Sequence, residues 1–207
     1  VQQTRKILIP PIVDTPMPLF SKIYVDTIYL LASGSFKMVI QGCCSLAHYP
    51  EFHVLHWETT AILGEWIYQD IICHWGRLQK IITNNSSAVI KVATYLAKKY
   101  HIHHIRISGY NSCSNGIMEQ PHFDIHQAMF NTANGVQSKW HSTIYAVFWA
   151  ERIMVQKCMG CSPYYAATGT HLLLLLDIME STYLQPPPDS ILSTTNLIAH
   201  HAIALQK

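Results

Sequence analysis

Residues 81–92, IITNNSSAVIKV, pass from a β-branched run through small polar residues into a helical pattern. KIIT (80–83) reads as a short buried strand. From Ser87 to Lys99 the apolar residues Val89, Val92, Ala93 and Leu96 recur at helical spacing, with Lys91 and Lys98 on the outside. A strand feeding a helix through so short a loop is the elementary unit of a sheet covered by helices. Its end is a natural mount for a functional side chain, and here it carries the amides Asn84 and Asn85.

Upstream, KIYVDTIYL (22–30), FKMVIQG (36–42) and FHVLHWE (52–58) are rich in β-branched and aromatic residues, with SGS (33–35) as the first turn. Short connections make them an antiparallel meander. A helix is expected from Thr59 to Trp75, capped by Thr59 or Thr60 and stopped by Gly76. Downstream, IHHIRI (102–107) reads as a fifth strand, and helices are expected near 117–131 and 138–157. The whole is α/β: a five-stranded mixed sheet with helices on both faces. The expected organisation is an extended arm over 1–20, whose IPPIVDTPMP forbids helix, a domain over 21–160, and a proline-rich extension over 161–207.

A chain of 207 residues that is 49% hydrophobic can bury a full core. The apolar run at 172–176 is far too short to span a bilayer, and no secretory signal is legible, so an intracellular protein without a membrane partner is expected. A start at Val1 without Met suits a fragment or excised domain. The net charge of +2 identifies no partner, but its distribution does. Between Ile71 and Met118 there is no acidic residue, while Arg77, Lys80, Lys91, Lys98, Lys99 and Arg106 all fall there. Such a segment favours a polyanion.

CMGC (158–161) lacks a second pair at zinc spacing and follows a helical pattern, which argues against a zinc site and a redox motif alike. The six cysteines are read as reduced, unpaired thiols. In HIHHIRI alternation sets His101 and His103 on one strand face, as surface imidazoles.

Three stretches in register carry a resemblance. KIYVDTIYL holds Asp26; IITNNSSA stands where a family pattern has T-D-N-G; YNSCSNGIMEQPH matches Y-N-x-x-x-N-G-x-x-E-R-x-H with Glu119, with 34 residues between Asn84 and Glu119. FWAERI and GCSPYYAATG continue the match, which covers roughly residues 5–188. The chain resembles the catalytic core of retroviral and gypsy-type retrotransposon integrases, most closely those of fungal long-terminal-repeat elements. The resemblance implies a ribonuclease-H-like fold and a nuclear polynucleotidyl transferase acting on DNA, with RNA as a second polynucleotide, working as a homo-oligomer. It implies Mg2+ or Mn2+ in a two-metal site, where carboxylates from several elements hold the ions that clamp attacking and leaving oxygens. Asp26, residue 84 and Glu119 are the catalytic positions, Asp26 and Glu119 the metal ligands. Lys91, Lys98, Lys99, Asn115 and His122 are the expected nucleic-acid contacts.

Residue by residue the chain departs from that pattern. Asn84 replaces the second acid, and an amide oxygen brings a metal no charge. Neither Asp70 nor Glu119, the nearest acids in sequence, lies in the loop to replace it. Ser86 replaces a glycine and is expected to strain the backbone, and Pro121 falls inside the expected helix of Glu119. Cys43, His53, His56, Cys113 and Gln120 stand where the resemblance gives arginine. All but Pro121 are reachable by single C-to-T or G-to-A transitions, the mark of a decayed element copy. The expectation is impaired strand transfer with weak, salt-sensitive, sequence-independent DNA binding. The alternative is a non-enzymatic nucleic-acid-binding or dimerisation module that keeps the fold.

Overall fold

The computed structural model describes residues 16–76, 78–84, 86–107, 125, 127–131, 139–172, 193, 195–196 and 198–199. The meander is β1 (Lys22–Ser33), β2 (Phe36–Cys44) and β3 (Pro50–Leu55), each antiparallel to the next. Two short strands, β4 (Lys80–Thr83) and β5 (His103–Arg106), add in parallel on the other side of β1, giving the order β3-β2-β1-β4-β5. This is the expected five-stranded mixed sheet, with β1 at its centre.

Alternation along β1 decides what each face packs. Ile23 and Val25, with Ile40 and Cys44 of β2, join Leu63, Trp66, Ile67, Val92 and Leu96 in one core. Ile28 and Val39 join Ile125, Met129, Ile144, Val147 and Phe148 in another, on the opposite face. Helices therefore cover both faces. Each fully buried aliphatic side chain contributes about 1.5–3 kcal/mol by leaving water.

The first helix, α1 (Thr60–Trp66), is capped as expected: the Thr59 hydroxyl accepts from the Ile62 N–H at 3.4 Å. The sequence pattern predicts one α-helix to Trp75, but Ile67–Cys73 winds as a π-helix. The wider turn still buries Ile67 and Ile71. Gly76 ends it at φ 80. Helix α2 (Ser87–Tyr100) buries Val89, Val92, Ala93 and Leu96, the stripe expected from sequence. His101 is not a strand residue: it terminates α2 in the left-handed conformation, φ 56, so it shares no strand face with His103.

Helix α3 (Trp140–Ile153) packs on β3 through stacked rings of Phe52 and Phe148, 3.9 Å apart. Arg152 adds a polar tie, donating to the Pro50 carbonyl at 3.0 Å and the Glu51 carboxylate at 2.8 Å. A short helix α4 (Pro163–Thr168), capped by Ser162, is not separated out by the sequence pattern. Among the described cysteines all are free, as expected; Cys43 and Cys44 are buried. Burial pushes the Cys43 thiol far above its ordinary range, which keeps it inert. Pro121 and the expected loop 108–116 lie outside the described residues, as does most of the 117–131 helix, of which 125 and 127–131 are described as helical. Among the described residues no helix is long and apolar enough to cross a membrane.

Candidate active centre

The centre is made by the parallel pairing of β1 and β4. Val25 stands opposite Thr83, so the next residues, Asp26 and Asn84, lie side by side where β4 runs out. The sequence separation is 58 residues, yet the Asn84 side-chain amide donates directly to Oδ1 of Asp26. The same oxygen accepts the backbone N–H of Thr27 at 2.8 Å. The other end of the Asn84 amide, Oδ1, is buried and has no hydrogen-bond partner.

A third residue of this neighbourhood escapes the sequence pattern. The β-rich run predicts a strand through Glu58, but β3 ends at Leu55, leaving Glu58 in the connection to α1. There its Oε1 accepts from the Thr27 hydroxyl at 3.0 Å and from the Ser86 hydroxyl at 2.8 Å, and its Oε2 accepts from Tyr29 at 2.7 Å. Desolvation of the phenol, then its bond to Glu58, raises the Tyr29 pKa. Glu58 thus ties the residue after Asp26 to the residue two beyond Asn84. Its only sequence signal is an acid directly before the Thr59 cap.

Ser86 corrects an expectation. Its backbone, φ −61 and ψ 123, lies in a region open to any residue, so no strain attaches to losing a glycine here. Its hydroxyl does not cap α2, because it is engaged by Glu58. Behind it, Thr83 and His104 share a hydrogen bond of 2.9 Å between β4 and β5. Burial, with Arg106 and His103 nearby, lowers the His104 pKa and favours its neutral form.

On the other flank Gln41 of β2 stands opposite Asp26 in the antiparallel register, on the same face of the sheet. It is fully buried, and its Oε1 has no partner. Lys91, Lys98 and Lys99 all lie exposed along α2. Lys99 stands over the rings of Tyr100 at 5.1 Å and Tyr95 at 5.8 Å. Glu119, Asn115 and His122 lie outside the described residues.

A cation bridging residues 26 and 84 requires oxygen lone pairs from both. The pair offers a carboxylate oxygen already accepting two N–H donors, and an amide that presents its amino group to it. Turned over, the amide would set its oxygen against the carboxylate. As it stands the amide turns its amino group to Asp26, so a divalent ion bridging residues 26 and 84 would require the amide to turn over. Among the described residues no cluster of three or more His, Cys, Asp or Glu side chains is placed to hold a metal.

No protein-family profile matches the chain, and no curated protein matches it. Solved structures do. A chain of the simian T-cell lymphotropic virus intasome, determined in complex with the PP2A regulatory subunit B56 gamma, is similar over 75% of this chain with a TM-score of 0.62 at 13% identity. The catalytic core domain of BIV integrase is similar over 72% of this chain and 95% of its own length, with a TM-score of 0.53 at 15% identity. The chain spans 56% of the length of the simian viral chain. The fold is therefore the ribonuclease-H-like fold of retroviral integrase cores.

Proposed function

We propose that this chain is the catalytic core of an integrase from a gypsy-type long-terminal-repeat retrotransposon, impaired in polynucleotidyl transfer by Asn84. One observation carries the reading: in a sheet of the integrase-core type, a side chain from the middle of β1 meets the one just past the end of β4, and the second is an amide donating to the first. In this reading Asp26 and Glu119 are the remaining acids of a Mg2+ or Mn2+ site weakened by the missing second carboxylate. The protein acts in the nucleus on DNA, or on RNA as a second polynucleotide, as a homo-oligomer. The exposed lysines of α2, Lys91, Lys98 and Lys99, contact phosphate, with Asn115 and His122 joining them.

Strand transfer on short duplex ends, with Mg2+ or Mn2+, tests the enzymatic half. The chain as it stands is expected at background, and transfer by the unmodified protein would overturn the impairment. Gel shifts over a salt series test binding: replacing the three lysines by alanine is expected to reduce the slope of log K against log salt by about 0.9 for each phosphate no longer neutralised. Binding with no transfer even after Asn84→Asp favours the second reading, a non-enzymatic module retaining the fold.

A further inference from the structure

We propose that the Asn84 amide, backed by Glu58, is a hydrogen-bonded lock: it stands where a cation would draw residues 26 and 84 together, and it makes the geometry of the centre independent of divalent ions. The inference rests on reading positions 26 and 84 as counterparts of an integrase's first two acids.

Three features of the centre carry it. Two N–H groups, from the Thr27 backbone and the Asn84 side chain, converge on one oxygen of Asp26 and supply the positive potential a carboxylate there needs. The oxygen of the Asn84 amide is buried without a partner, so no bond at that end fixes the amide's orientation. Attraction to Asp26 fixes it, and the reverse orientation is repelled. Finally, Glu58 engages both of its oxygens with the hydroxyls of Thr27, Ser86 and Tyr29. That carboxylate is satisfied by protein donors, and it clamps the segment on either side of the Asp26–Asn84 contact.

Aspartate at 84 reverses the balance. Its carboxylate would face that of Asp26 in place of the amide donor, and like charges at such range repel unless a cation intervenes. The lock would become a metal-dependent pair.

Thermal denaturation of the full chain in EDTA, Mg2+ and Mn2+, with Mn2+ binding followed by electron paramagnetic resonance, tests this. The unmodified chain is expected to melt at the same temperature in all three. Asn84→Asp is expected to melt about 2–4 °C lower in EDTA, to recover in Mn2+, and to bind Mn2+ at least about tenfold more tightly than the unmodified chain. Asn84→Ala, which removes the donor without adding charge, is expected to lower the melting temperature with no recovery in Mn2+. The lock is refuted if Mn2+ stabilises the unmodified chain as much as Asn84→Asp. It is equally refuted if Asn84→Ala melts with the unmodified chain. Should Asn84→Asp fail to fold, the alanine variant and direct Mn2+ binding to the unmodified chain decide the matter. A chain that binds no DNA in gel shifts would remove the functional reading while leaving these melting shifts intact.

Discussion

The hydroxyl of Ser86 donates to the Glu58 carboxylate at 2.8 Å, joining the residue that precedes α2 to the connection between β3 and α1. The bond is one of three that Glu58 accepts from hydroxyls. Ser86→Ala is expected to lose about 1 kcal/mol of stability, and Glu58→Ala, which removes the acceptor of three hydroxyls at once, about 2–3 kcal/mol. Urea denaturation measures both. A Glu58→Ala loss no larger than that of Ser86→Ala would show that Glu58 is not the hub.

Arg152 and Glu51 form a mostly buried ion pair at 2.8 Å, with the Trp75 indole N–H also on Glu51 at 2.9 Å. Burial raises the Glu51 pKa in spite of Arg152, so desolvation outweighs the attraction. Arg152→Ala leaves a buried carboxylate short of its cation and is expected to cost about 3 kcal/mol. Adding Glu51→Gln to that variant should recover part of the loss. No recovery would mean that Arg152 acts through its packing over the Tyr49 ring, 4.7 Å away, and not through charge.

Gly42 is required by a close approach. A Cβ there would meet Cη2 of Trp66 at 3.0 Å and Cδ1 of Ile71 at 3.5 Å. Gly42→Ala is expected to destabilise by about 1–3 kcal/mol through overpacking. Trp66→Phe removes the clashing atom and an indole N–H that is buried without a partner. The double variant should therefore be more stable than the sum of the two single losses, and strict additivity would contradict the contact.

Acid should weaken the fold before the carboxylates titrate. Burial lowers the pKa of His48 and of His104 below the ordinary 6.5, with Gln156 partly countering it at His48. The unfolded chain then binds more protons than the folded one below about pH 6.5. The stability these residues contribute is complete above that pH and falls as pH drops towards their folded-state values. Glu51, raised by burial, acts in the opposite sense at lower pH. Stability from urea curves at pH 7.5 and 5.5 should fall less for His48→Asn with His104→Gln than for the unmodified chain. Asparagine is chosen because His48 has φ 51, which asparagine tolerates. An unchanged pH dependence would exclude both histidines.

The parts of this fold legible in sequence are those set by local pattern. β4 ends where the β-branched run KIIT ends, and the buried stripe of α2 follows its own spacing. Glu58 eludes the pattern because β3 stops where its pairing with β2 stops, at Met38 opposite Leu55, and alternation along one strand carries no record of its partner's length. The placement of Gln41 beside Asp26 is a matter of cross-strand register, equally invisible along a single strand. His101 blends into a strand pattern because a left-handed cap leaves no mark in polarity. The Asp26–Asn84 neighbourhood is legible only through three motifs in register, while Glu119 lies outside the described residues.

The placing of β1, between an antiparallel hairpin partner and a parallel strand from far along the chain, also orders events in time. The meander β1–β2–β3 closes through short turns, whereas Asp26 meets Asn84 only after a loop of 58 residues is drawn in. Closure over such a distance forfeits chain entropy before any contact rewards it. The centre is thus expected to assemble on the late side of the folding barrier, so that changes at residue 84 register in how fast the protein unfolds and hardly at all in how fast it folds.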